Sequence, residues 1–156
     1  MKLWMSLYAM IWIVLIEFLL AMTPRAPDVL LYAHIVLGLG IIGLAFYNFD
    51  GVRKTGVPGR VKRVAKSSFD LSIVMAVLGL LLVAGIGRDW TILFGVTVWG
   101  LILLIHVVNA FAIITQAAAV AIAYDMWEDK EFVKDTAPGE VPAHPAAKVA
   151  ALMPKS

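Results

Sequence analysis

Three ionisable side chains stand inside long apolar runs of this 156-residue sequence: Glu17, His34 and His106. An ionisable group in such surroundings is costly, and by default it marks a functional site. Two histidines from separate segments are what an axially bis-imidazole-ligated b-type haem requires, because each neutral imidazole donates a lone pair to the iron. Cofactors of this kind sit in the cores of helix bundles. The same residues also form a set of two histidines and one carboxylate, which in another arrangement could bind a metal ion. They could equally relay protons or hydrogen-bond a quinone headgroup. The bland reading is that each histidine bonds a neighbouring helix and holds the bundle, or a partner subunit, together. Asn109 and Gln116 are neutral companions. Asp70 lies beside a basic segment and reads as an ordinary charge at a helix start near the membrane surface.

The elements that carry these residues follow from composition. Hydrophobic residues make up 62% of the chain and charged residues 15%, against roughly 45–50% and ~25% in soluble domains. Mean hydropathy is +0.89. A soluble enzyme is excluded, and an integral membrane protein is expected. Four apolar stretches are evident: Leu3 to Met22, about Val29 to Phe49, about Phe69 to Gly87, and about Thr91 to Tyr124. Their length identifies them as helices, since barrel strands need only ~9–11 residues to cross a bilayer. The expected fold is an all-α four-helix transmembrane bundle over residues 1–135, followed by a Pro/Ala-rich tail at 136–156. The fourth stretch has 34 residues, roughly 50 Å as one helix. It is expected to be a single long helix projecting into the cytoplasm, with room for an interfacial turn near Asp89–Gly95. The initial run exceeds the usual 7–15-residue apolar core of a signal peptide and contains Glu17, so it reads as a true first span.

Charge placement sets the orientation. The segment GVRKTGVPGRVKRVAKSS between the second and third stretches carries Arg53, Lys54, Arg60, Lys62, Arg63 and Lys66. With Lys2, Lys130, Lys134, Lys148 and Lys155, eleven basic residues fall on one side. Only Arg25 and Arg88 fall on the other. Basic residues are retained on the cytoplasmic face, so both termini are expected in the cytoplasm, across what reads as a prokaryotic plasma membrane. The pI near 9.0 is therefore a topology signal and not a sign of nucleic-acid binding. The basic segment is also suited to anionic lipid headgroups.

Rise per residue gives approximate depths. Glu17 and His34 both come out ~7.5 Å below the outer edge, while His106 is ~22 Å deep counted from Thr91, or close to the outer edge counted back from Tyr124. The three can share one layer. Gly38, one turn beyond His34, would let a flat ring lie against the backbone, and Arg25 and Arg88 are the outer-side basic residues available to haem propionates.

With His34 in YAHIVLGLG and His106 in LIHVVNAF, the chain resembles the small four-helix membrane b-type cytochromes. The resemblance covers the span layout and these two histidines. It implies one bis-histidine haem b and a role as an electron-transfer subunit of a respiratory or similar complex, not a self-sufficient enzyme. The chain departs from relatives that carry two haems on four histidines, because its third histidine, His144, lies in the tail. The alternative is a cofactor-free accessory subunit stabilising larger membrane partners. The chain has no cysteine, so thiolate metal sites, iron–sulfur clusters and covalently attached haem are excluded. GVRKTG lacks the spacing of a phosphate-binding loop, and GxSxG and HExxH are absent.

Overall fold

The computed structural model describes residues 2–23, 28–92 and 94–134, with side chains described as far as Glu128. It is all-helical: α1 Leu3–Ala21, α2 Asp28–Lys54, α3 Gly59–Val83 and α4 Val98–Lys134. Each of the four is long and apolar enough to cross a membrane. The chain divides into two units, Met1–Asp125 and Met126–Ser156. The first holds the bundle. The second begins in the last turns of α4, and the tail expected at 136–156 lies outside the described residues.

Neighbouring helices run antiparallel, as their cross-contacts show. Ser6, early in α1, meets Asn48, late in α2, while Glu17, late in α1, meets His34, early in α2. On α4, Phe111 packs on Phe18 with ring centres 5.1 Å apart, and Asp125 accepts a 2.6 Å hydrogen bond from the Tyr8 hydroxyl. The mid-bundle core is built from Met10, Val14, Ile41, Ala45, Ile113 and Ala117, with Phe69, Leu71 and Met75 of α3 packed against it. The alanines at the α2 and α4 contacts keep those faces thin, so the helices approach closely.

Two connectors differ from the sequence reading. The basic segment 51–68 is not a long loop: α2 runs to Lys54 and α3 starts at Gly59, leaving four residues between them. Helix continues through it because Val52, Ala65 and Ser68 are buried and prolong the packed face beyond the apolar spans. Lys and Arg are also good helix formers. The basic residues therefore stand on paired helix ends, where Lys62 Nζ donates to the Arg53 carbonyl at 3.0 Å. Asp70 sits well inside α3 rather than at its start, paired with Lys66 at 2.6 Å.

The second difference is the start of α4. The described residues between Val83 and Val98 are not helical, so a turn does fall near Asp89–Gly95 and the helix begins only at Val98. Helix α3 ends in a Schellman arrangement: the Gly85 N–H bonds the Leu82 carbonyl at 3.0 Å and the Ile86 N–H bonds the Leu81 carbonyl at 3.1 Å. Gly85 has the positive φ (68°) that this cap requires. A tight hairpin follows, with Thr91 bridged antiparallel to Thr97. Gly87 also has positive φ, 72°, and a Cβ there would stand 2.5 Å from Val98 Cβ, so this close approach of loop to α4 needs glycine.

Candidate functional site

The end of the bundle opposite the basic residues carries the site. Glu17 is one turn from the end of α1, and its carboxylate forms an ion pair with His34 Nδ1. Glu17 is buried, and its second oxygen, Oε1, has no hydrogen-bond partner within the chain. With Nδ1 engaged, the free nitrogen of His34 is Nε2. On α4, which begins at Val98, His106 is two turns in and not deep in the span. This corrected start brings Glu17, His34 and His106 into one layer, as the depth estimate allowed. The His34 and His106 ring centres are 6.3 Å apart and the planes are inclined by 56°.

All three residues line one partly open cavity of about 420 Å³, whose walls come from every helix. That volume is in the range of small-molecule and cofactor sites, about 300–1,000 Å³. Its wall is mostly apolar; the hydroxyls of Ser72 and Thr23 are the other polar side-chain groups among the lining residues. Gly38 also lines it, and a Cβ built there meets nothing within 4 Å. On α3, Gly79 supports the His106 ring: a Cβ there would lie 3.4 Å from His106 Cε1.

A ligating histidine usually donates its other N–H to a carboxylate, which fixes the ring; Glu17 on His34 Nδ1 is such a partner. Two imidazoles on one cavity, one of them held by a carboxylate, are the donor set that a bis-histidine haem would take. A three-ligand metal centre is not favoured: among the described residues, no group of three or more His, Asp or Glu is disposed to hold one ion. One oxygen of Glu17 is engaged by His34.

Of the other expected site residues, Asn109 lies one turn beyond His106 but does not line the cavity. Its Nδ2 donates to the Leu71 carbonyl at 2.9 Å, tying α4 to α3. Arg88 also does not line the cavity; its guanidinium lies 5.8 Å from the Trp99 ring centre. Arg25 falls outside the described residues. Among the described lining residues no cation other than the histidines is placed to meet a haem propionate.

Sequence reasoning missed Ser72 and Met75, which line the cavity from α3 together with Gly79 at helical spacing; Ser72 is buried. A serine and a glycine two turns apart in an apolar run were the available signal. A second polar contact, remote from the cavity, was also missed. There the Ser6 hydroxyl bonds Asn48 Oδ1, and Asn48 Nδ2 reaches the Ser6 carbonyl at 3.4 Å and Met10 Sδ at 3.5 Å.

Compared with known families, curated proteins and solved structures, the chain matches none of them.

Proposed function

We propose that this protein is an integral membrane electron-transfer component that holds one b-type haem between His34 and His106. The observation that carries the reading is the pair of histidine rings 6.3 Å apart on a shared cavity, one of them fixed through Nδ1 by Glu17. The four apolar helices support insertion in the bilayer, and the eleven-to-two division of basic residues supports cytoplasmic termini. The site then lies in the outer half of the membrane. Haem supplies a one-electron couple. The chain's own residues would do the positioning: His34 and His106 would offer ring nitrogens to the iron, Glu17 would hold His34, Gly79 packs beside the His106 ring, and the mostly apolar wall would limit access of water. The described part of the chain has short links and no extramembrane domain. This suits a subunit that passes electrons between partners, within a respiratory or related complex.

A second reading rests on the partnerless Glu17 Oε1 beside an apolar cavity, an arrangement suited to hydrogen-bonding a quinone headgroup. One measurement separates the two. Protein purified in mild detergent should give a reduced-minus-oxidised spectrum with a b-type α-band, and His34→Ala and His106→Ala should each abolish it. A flat spectrum from folded protein that has been offered haem would refute the haem reading, as would a band that survives either substitution.

A further inference from the structure

The link between α3 and α4 is apolar where a water-facing loop would be polar. Trp90 is 66% exposed, Ile92 56%, Val96 50%, and Phe94 at the tip 96%. Phe94 also has a φ of 55°, a left-handed conformation disfavoured for a large side chain. Among the described residues nothing compensates: the ring is displayed, not packed.

The backbone of the same link is paired at its base. The N–H groups of Arg88 and Trp90 bond the Gly85 and Gly87 carbonyls at 3.2 Å each. The Ile92 N–H bonds the Val96 carbonyl, and the Val98 N–H the Trp90 carbonyl, both at 2.8 Å. An unpaired N–H in an apolar phase costs several times a normal hydrogen bond, so a tip of this kind suits the hydrated headgroup zone and not the hydrocarbon core. The flanking helix ends also expose apolar side chains, Leu80 and Val83 before the hairpin and Leu101 and Leu104 after it. Arg88 and Asp89, the hairpin's two charges, precede its tip.

We infer that the Thr91–Thr97 hairpin is a membrane anchor that dips Ile92, Phe94 and Val96 into the interfacial region of the outer leaflet, with Trp90 at headgroup level. Aromatic side chains favour that zone, and the lipid provides the cover that Phe94 lacks in the chain. The hairpin fixes the site-bearing ends of α3 and α4 at the surface. The inference rests on the membrane insertion proposed above, and its test separates the two.

The absence of native cysteine allows single-cysteine spin labelling of the full chain in phosphatidylcholine–phosphatidylglycerol vesicles. Three variants are compared: Phe94→Cys at the tip, Val77→Cys, exposed on α3 and outside the cavity lining, as the lipid-facing reference and Lys54→Cys as the aqueous reference. Each nitroxide is scored by its collision rate with oxygen, which concentrates in lipid, relative to a water-soluble nickel chelate. The expected ratio at position 94 is several-fold above that at 54 and at or below that at 77. A ratio at 94 equal to that at 54 places the tip in water and overturns the anchor, leaving insertion intact. A label at 94 shielded from both agents reveals a protein cover, from a partner or a second copy, and overturns it too. If position 77 itself behaves like position 54, insertion fails and the anchor falls with it. Ile92→Cys gives the same readout independently should Phe94→Cys not fold.

Discussion

Removing the carboxylate that holds His34 is the most informative single perturbation. In Glu17→Leu the imidazole loses its one charged partner among the described residues. Two figures bracket the effect. Breaking a buried ion pair by deleting one member costs about 3–5 kcal/mol when a charge is left stranded. A hydrogen bond between membrane helices averages only about 0.6 kcal/mol, with a maximum near 1.7. The Glu17 side chain is 8% exposed and that of His34 30%, so His34 retains some access to its surroundings. It also has a neutral form to adopt. The stranded-charge figure therefore does not apply, and a loss of about 1–2 kcal/mol is expected. Glu17→Gln, which keeps an oxygen for the Nδ1 proton, should lose less than half of that. Glu17→Leu/His34→Leu should be no less stable than Glu17→Leu alone, because both polar partners are then gone from an apolar wall.

The assay is equilibrium unfolding in mixed detergent micelles, followed by far-UV circular dichroism for the four proteins of the cycle. In haem-loaded protein the same Glu17→Leu change should weaken haem retention about 10–100-fold, the usual consequence of losing a ligand's orienting partner. Strict additivity of the two leucine substitutions, with unchanged haem affinity in Glu17→Leu, would refute the orienting role.

Three further outcomes follow from the same packing. Gly38→Leu fills the cavity where a Cβ meets nothing within 4 Å, so it should abolish haem binding while leaving helix content by circular dichroism unchanged. Gly87→Ala places a methyl 2.5 Å from Val98 Cβ at a φ of 72°, and should destabilise the bundle by more than about 1 kcal/mol in the same unfolding assay. Asn48→Leu removes both ends of the contact with Ser6 and should cost about 1 kcal/mol, near the upper part of the range for membrane hydrogen bonds; Ser6→Ala in that background should then add little.

What was legible in the sequence was legible because the relevant physics is local. Apolar runs of about 20 residues dictate helices long enough for a bilayer, and four of them dictate four. Basic residues sort by connector without knowledge of packing. The cost of an ionisable group in apolar surroundings marked Glu17, His34 and His106, and the structure places all three on one cavity. The α4 boundary was less accessible, since Thr91–Thr97 is as apolar as the helix that follows. Its turn is decided by positive-φ glycines and a bridge between residues six apart.

Azimuth could not be read from the sequence. Helices apolar around their whole circumference carry no stripe to say which face turns inward, so the sequence by itself determined the elements, their number and the approximate depth of the polar residues. Only the tertiary structure decided that Glu17 meets His34, that His34 faces His106 across a cavity, that Asn109 ties α4 to α3, and that Arg88 turns to Trp99. Those choices depend on how close the small residues of α2, α3 and α4 let the helices come, and packing of that kind is settled by all four helices together.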